Sequence, residues 1–128
     1  MAAPLLIDTD VAIDYLRGYA DAISYIEGLS GNHLISAITV AELYAGVRDG
    51  AERTALESFV RAFQVVTIDA TIAQQGGLFR RDFGKSHGVG LADALIAASA
   101  EACGAILVTL NTRHFPMLAT AHVPYRKP

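Results

Sequence analysis

The sequence has little of what marks an exported, disordered or membrane-spanning chain. Among 128 residues there are one cysteine, four prolines and no tryptophan, and only 18% of the residues are charged. The single cysteine, Cys103, excludes an internal disulfide and fits a reducing compartment, so we assign it a packing role in a helix. The longest apolar stretch, residues 91–110, is interrupted by Asp93, Glu101 and Gly104. It therefore predicts a buried helix followed by a strand, and no membrane span.

Basic residues are also scarce. Ten Lys and Arg stand against 13 Asp and Glu, a formal net charge of −3, which excludes a protein that holds nucleic acid through a broad basic surface. Arg80, Arg81 and Lys85 recur at helical spacing and form a candidate phosphate-contacting edge, although a solvated helix face is the simpler interpretation. The residues before Asp8 lack a basic leader and a long apolar region, so we expect a cytoplasmic protein without an export signal.

What the sequence does contain is a regular alternation of apolar runs and helical patterns. Half of the residues are apolar, and no linker composition divides them, so we expect a single domain over residues 1–128. The predicted strands are residues 5–7, 33–38, 65–68, 105–110 and, as a short edge strand, 122–123. The predicted helices are one helix between Asp8 and Gly28, then residues 39–47, 51–63, 70–83 and 91–103, with the glycine-rich segment 84–90 as a break. This order predicts an α/β fold with a mainly parallel sheet and helices on both faces.

Four polar residues follow the predicted strands. Asp8 ends the first strand, Glu42 lies one turn into the next helix, Asp93 opens a later helix, and Asn111 follows the strand at 105–110. Because sites in parallel sheets form beyond the carboxyl ends of the strands, we expect these residues to face one crevice. Carboxylates about 4 Å apart repel by roughly 4 kcal/mol at an effective dielectric near 20. A hard divalent cation would relieve that repulsion, and oxygen ligands without Cys or His favour Mg²⁺ or Mn²⁺.

Each of these residues also has a structural interpretation. Asp8 and its neighbour Asp10 are ordinary residues for a turn and a helix N-cap, and we assign the cap to Asp10. Thr39 and Glu42 fit the capping box, in which each side chain satisfies a backbone donor of the other residue. Asp93 in a first helical turn would interact favourably with the helix dipole. Asparagine is common in turns, so Asn111 could simply shape one.

The spacing of four motifs is more specific than any single residue. The motifs are LIDTD at residues 6–10, TVAELYAG at 39–46, LADALIAA at 91–98 and LVTLNTRHF at 107–115. Together, in this order, they resemble the PIN-domain family, and specifically the VapC-type ribonuclease toxins of bacterial type II toxin–antitoxin systems. The resemblance spans nearly the whole chain and implies a PIN-like three-layer sandwich.

The resemblance also implies a set of site residues. Asp8, Glu42 and Asp93 would be the acidic ligands of Mg²⁺ or Mn²⁺, with Asn111 in the fourth catalytic position, and Thr9 and Thr109 would supply supporting hydroxyls. Relatives often carry Asp where Asn111 stands and an acidic residue where His114 stands, while many carry Asn in place of Asp10. The lower negative charge at Asn111 leads us to expect one well-held ion.

A further implication of the resemblance concerns activity and partners. The chain would be a metal-dependent endoribonuclease that hydrolyses RNA phosphodiester bonds, with a VapB-like antitoxin that wraps it and obstructs its site, and it would form a homodimer. The faces near Tyr15, Tyr19, Tyr44 and Val47 form a candidate groove for an amphipathic partner helix, and core packing explains them equally well. His87, in the predicted loop at 84–90, is a candidate contact for RNA phosphate.

Three other functions remain open at this point. A PIN-like module that binds RNA or a partner without cutting would share the fold, although intact Asp8, Glu42 and Asp93 favour catalysis. A phosphoacceptor receiver domain would use Asp69, but no Lys ends the strand at 105–110. An aspartate-nucleophile phosphatase is suggested by Asp8 and Asp10, but Ala12 departs from its motif.

Overall fold

A computed structural model describes residues 3–128 as a sheet of five parallel strands with helices on both faces. The strands are β1 (Leu5–Ile7), β2 (Leu34–Ser36), β3 (Gln64–Val66), β4 (Ile106–Val108) and β5 (Ala121–His122), in the order β3-β2-β1-β4-β5. The helices are α1 (Thr9–Leu16), α2 (Ala20–Glu27), α3 (Ala37–Ala45), α4 (Ala51–Arg61), α5 (Ala70–His87) and α6 (Leu91–Ala102), and Thr112–His114 forms a 3₁₀ turn. The predicted α/β class and parallel sheet are confirmed.

The alternation of side chains along each central strand builds two separate hydrophobic layers. Leu6, Leu34 and Leu107 pack against α5 and α6 on one face of the sheet. Their neighbours Ile7 and Ile35 pack with residues of α1, α2 and α4 on the other face. Because successive residues of a strand point to opposite faces, three short apolar runs are enough to anchor a three-layer sandwich.

The prediction of one continuous helix between Asp8 and Gly28 is wrong. Two helices, α1 and α2, replace it, and Gly18 between them has φ +81°. A residue with a Cβ rarely adopts that backbone conformation, so the glycine permits the turn. The apolar positions that suggested one face are therefore shared by two helices of different direction.

The predicted break at Gly84 is also wrong. Helix α5 runs through Gly84 to His87 and ends at Gly88, which has φ +65° and a left-handed conformation. One glycine in a helix interior costs about 1 kcal/mol, which the packing of an 18-residue helix readily offsets. Cys103 is exposed at the end of α6, so the packing role assigned to it is wrong. No helix within residues 3–128 is long and apolar enough to cross a membrane.

Candidate active site

The candidate site lies at the carboxyl edge of the sheet, where β1 is flanked by β2 and β4. Asp8 directly follows β1, Glu42 lies in α3 after β2, and Asn111 follows β4 by three residues. Asp93 lies in the first turn of α6. The strand order therefore brings the carboxyl ends of β1, β2 and β4, and the segments that follow them, to one edge, as expected for a parallel sheet.

Asp8 is the most buried of the acidic residues. Its exposed fraction is 5%, and its Oδ1 accepts a hydrogen bond of 2.8 Å from the backbone N–H of Thr9, which makes it the N-cap of α1. Its Oδ2 accepts a hydrogen bond of 2.8 Å from the hydroxyl of Thr109, a residue that is itself fully buried. The hydroxyl of Thr109 therefore orients Asp8, and its supporting role in the site stays a prediction.

Asp10 is not the N-cap that the sequence suggested, because Asp8 occupies that position. Its Oδ1 accepts from the N–H of Val11 at 2.7 Å, and its Oδ2 accepts from the N–H of Leu110 at 3.0 Å. The second bond joins α1 to the segment after β4. Asp10 therefore holds Asp8 and Asn111 in a defined relation.

Glu42 does not form the predicted capping box. Helix α3 begins earlier, with Ser36 as the N-cap whose hydroxyl accepts from the N–H of Ile38. The exposed Glu42 instead accepts a hydrogen bond of 2.7 Å from the hydroxyl of Thr9, which is also 2.9 Å from the hydroxyl of Thr39. A competent cap at Ser36 leaves the Glu42 carboxylate available to the site.

Asp93 and Asn111 meet at a residue that the sequence singled out only as a departure from the family pattern. His114 Nδ1 lies 3.2 Å from Asp93 Oδ2 and 3.2 Å from Asn111 Nδ2. The backbone N–H of Asn111 also donates to the hydroxyl of Thr109 at 3.1 Å. An acidic side chain at position 114 would add negative charge beside Asp93. The imidazole of His114 instead gives Asp93 a polar partner.

The acidic residues disfavour one another's ionisation. Burial, and then the charge of Asp10, raise the pKa of Asp8 from 3.8 to about 7, and Asp93 adds to the shift. Burial also raises the pKa of Asp93; His114 opposes this shift, and the charges of Glu42 and Asp10 add to it. Burial likewise raises the pKa of Asp10. Perturbed carboxylates clustered at a sheet edge are a recognised property of functional sites.

The side chains of this cluster are of the types that bind a divalent cation, but they do not lie close enough together to bind one. Among residues 3–128, no three His, Cys, Asp or Glu side chains approach closely enough to hold a metal ion as they stand. Glu42 is bonded to Thr9, and Asp93 lies against His114. The donors are nevertheless carboxylate oxygens that repel one another, which a hard cation relieves.

Similar proteins place the chain in a family. The family model described as PIN domain matches residues 5–120. Ribonuclease VapC19 of Mycobacterium tuberculosis is 41% identical over 124 residues, which cover 94% of this chain and 98% of that protein, and Ribonuclease VapC10 of the same organism is 36% identical over 127 residues, covering 97% and 95%. A chain in a toxin–antitoxin complex from Klebsiella pneumoniae superposes with a TM-score of 0.83 at 26% identity, covering 98% of this chain and 100% of that one. By sequence and by fold, this chain belongs to the PIN-domain family, among the VapC ribonucleases.

Proposed function

We propose that residues 1–128 form one PIN-like nuclease domain that acts as a metal-dependent endoribonuclease toxin. The observation that carries this proposal is the buried Asp8, whose pKa is raised to about 7 beside Asp10 and Asp93 at the carboxyl edge of the sheet. Carboxylates whose pKa values are raised by burial and by one another's charge cluster at functional sites. Membership among proteins named ribonucleases supports RNA as the substrate.

The proposed metal is Mg²⁺ or Mn²⁺, held by Asp8, Glu42 and Asp93 with Asn111 in the fourth position. When bound, such an ion polarises a phosphoryl oxygen and lowers the pKa of a bound water. Asn111 carries no charge, so the cluster has three carboxylates for ligation, which favours a single ion.

The roles of the supporting residues follow from their hydrogen bonds. Thr109 and the backbone of Thr9 fix both oxygens of Asp8, and the Thr9 hydroxyl donates to Glu42. Orienting partners of this kind typically contribute 10- to 100-fold, as an order of magnitude, in metal affinity or activity. Removing the Thr9 hydroxyl would therefore weaken the site without removing a ligand.

The proposed partner is a VapB-like antitoxin, in line with the toxin–antitoxin complex that contains the Klebsiella chain. A groove of about 540 Å³ lies beside Glu42 between α1, α3 and α4, and Leu16, Leu43, Val47 and Leu56 are among its lining residues. A partner segment in this groove would lie next to the acidic cluster. It would therefore obstruct access of RNA to Glu42.

Of the residues first suggested for a partner groove, only Val47 lines this one. The ring of Tyr15 packs at a tilt against Phe59, with centroids 5.3 Å apart, and Tyr15 lines a different groove. The ring of Tyr19 packs at a tilt against Tyr125, with centroids 5.6 Å apart. The aromatic rings of Tyr15 and Tyr19 therefore serve internal packing at least in part.

A homodimer and a cytoplasmic location are also part of the proposal.

The alternative functions can be compared with the same geometry. The strand order β3-β2-β1-β4-β5 differs from the order 2-1-3-4-5 of receiver domains. Asp69, the candidate phosphoacceptor, is the N-cap of α5 and accepts from the N–H of Ile72 at 2.8 Å. A PIN-like module that binds without cutting remains the second candidate, because it would keep the same fold.

The test is cleavage of total RNA by the purified chain with Mg²⁺ or Mn²⁺, against the same reaction in EDTA. We expect discrete, metal-dependent fragments, and at least about a hundredfold loss of rate in Asp93→Asn. Glu101→Gln is the matched control, because Glu101 is an exposed carboxylate near the other end of the same helix. If the folded chain produces no fragments with either metal, the non-cutting module is the better description.

A further inference from the structure

A cavity of about 420 Å³, separate from the grooves described above, lies where the end of α5 meets the 3₁₀ turn after β4. It is lined by Ser86, His87, Thr112, Arg113, His114 and Pro116. None of these lining residues is acidic, although the chain as a whole has a net charge of −3. Hydroxyl, imidazole and guanidinium groups are suitable donors to a phosphate oxygen. The cavity therefore has the lining of an anion site in an otherwise acidic protein.

We propose that this cavity is a phosphate subsite, which takes a backbone phosphate of the RNA next to the phosphodiester that is cut. The inference rests on the proposed nuclease function and adds to it a place for the substrate strand. Arg113 and His87 are the residues that would contact the phosphate. They come from segments 26 residues apart that the fold joins at one surface.

The location of the cavity supports a role in substrate binding. His114 lines the cavity and at the same time lies 3.2 Å from Asp93 and 3.2 Å from Asn111. An RNA strand whose reacting phosphate lies at the acidic cluster would therefore have the cavity beside it, within reach of a neighbouring phosphate. An acidic cluster repels the neighbouring phosphates of that strand, so a donor-rich surface beside it offsets the repulsion.

Arg113 is available for such a contact. The guanidinium groups of Arg48, Arg53 and Arg81 each lie within 3.3 Å of a neighbouring carboxylate. Within residues 3–128, no carboxylate oxygen lies within 4.0 Å of a side-chain nitrogen of Arg113, and the residue is exposed. Its fork of donors matches phosphate geometry, and no internal ion pair must be broken to use it.

His87 is held in place before any ligand arrives. The hydroxyl of Ser86 lies 2.8 Å from its Nδ1, and the ring of Phe83 contacts it edge-on with centroids 5.9 Å apart. Gly88 ends α5 directly after it in a left-handed conformation, so His87 is the last residue of the helix. The residue that the sequence placed in a flexible loop is therefore on the last turn of a helix, which reduces the entropy lost on binding.

The first experiment measures binding without cutting. A fluorescein-labelled oligoribonucleotide that spans a cleavage site mapped in total RNA is titrated by anisotropy into Asp8→Asn protein, alone and combined with Arg113→Gln or His87→Gln. We expect about five- to tenfold weaker binding for Arg113→Gln, and a salt dependence whose slope falls by about 0.7 for one lost contact to single-stranded RNA. Arg61→Gln, at an exposed arginine that ends α4, is the matched control.

The second experiment locates the phosphate. In a set of oligonucleotides, one phosphate linkage at a time, on either side of the cleaved bond, is replaced by a neutral methylphosphonate next to a 2′-deoxyribose. The reference oligonucleotide carries the same deoxyribose with an ordinary phosphate. One adjacent neutral linkage should weaken binding to the Asp8→Asn protein about as much as Arg113→Gln does. The same linkage should cause no further loss when Arg113 is already Gln, because the two changes remove one contact.

The outcomes separate this inference from the proposed function. If the wild-type chain cuts RNA, but Arg113→Gln and His87→Gln bind with unchanged affinity and salt slope, the phosphate subsite is wrong and the nuclease assignment stands. If the effects of the neutral linkage and of Arg113→Gln multiply, Arg113 acts elsewhere and the subsite is also wrong. If the wild-type chain cuts nothing, the function itself fails, and no cleavage site exists to place the oligonucleotide.

Discussion

Replacing Asp8 with asparagine removes a buried charge and keeps the shape of the side chain. In the wild-type protein the carboxylate is 5% exposed, and its pKa is raised from 3.8 to about 7. Each pKa unit corresponds to about 1.36 kcal/mol, so ionised Asp8 destabilises the metal-free fold by about 4 kcal/mol above pH 7.

The substitution also costs something. The Asn Oδ1 can still accept from the N–H of Thr9, but its Nδ2 would face the hydroxyl of Thr109, which now donates to Asp8. That hydroxyl can rotate to donate to Asp10 Oδ2, which is 3.4 Å away, and accept from the new amide. Such a rearranged hydrogen bond costs about 1 kcal/mol, so we expect Asp8→Asn to gain about 2–3 kcal/mol in free energy of unfolding at pH 8.

The gain depends on pH with a definite sign. Between pH 3.8 and about 7 the folded wild type keeps a proton on Asp8 that the unfolded chain has lost. Its stability from this group is therefore complete below pH 4 and falls as the pH rises through 7. Asn has no such proton, so the advantage of the variant should be absent near pH 4 and complete at pH 8.

The assay is thermal unfolding in EDTA at pH 4.5 and pH 8, followed by circular dichroism. For a chain of this size we expect the Tm of Asp8→Asn to exceed that of the wild type by roughly 6–10 °C at pH 8. Asp21→Asn, at an exposed carboxylate in α2, is the control and should stay within about 0.5 kcal/mol of the wild type. Millimolar Mn²⁺ should then raise the Tm of the wild type more than that of Asp8→Asn.

Two results would refute this reasoning. If Asp8→Asn is no more stable than the wild type at pH 8 in EDTA, the buried charge does not destabilise the fold. If the variant keeps the same advantage at pH 4.5, its stability comes from some cause other than ionisation. Cleavage by a folded Asp8→Asn protein at the wild-type rate would contradict the proposed ligand role separately.

Two further predictions concern packing around the site. A Cβ on Gly76 would lie 2.5 Å from Leu95 Cδ2 and 3.2 Å from Leu95 Cα, so Gly76→Ala should lower the free energy of unfolding by about 1–3 kcal/mol. A Cβ on Gly77 would have nothing within 4 Å, so Gly77→Ala should raise the free energy of unfolding by about 0.5–1 kcal/mol. Urea unfolding measures both, and equal changes would contradict the close α5–α6 contact. Tyr125→Phe should lose about 1–2 kcal/mol, because the phenol donates at 2.7 Å to Asp14, which is 7% exposed. An unchanged urea midpoint would show that Asp14 is satisfied without the phenol.

Local patterns predicted the elements well and their caps poorly. Thr39 and Glu42 have the capping-box spacing, yet α3 begins two residues before Thr39 and Ser36 caps it. Asp8 and Asp10 are equally good caps by residue type, and the structure uses Asp8. Where several residues can play the same local role, the choice depends on which side chain finds a better partner elsewhere, and local spacing does not contain that information.

The amino-acid sequence alone is enough to predict the alternation of strands and helices, the family, and the edge at which Asp8, Glu42, Asp93 and Asn111 would gather. It could do so because side-chain periodicity and strand ends are local properties. Tertiary packing brings Glu42 to Thr9, 33 residues away, and Asp10 to a backbone N–H 100 residues away, and no local pattern predicts either contact. The raised pKa of Asp8 has the same origin, because burial and the approach of distant charges arise when helices pack on the sheet.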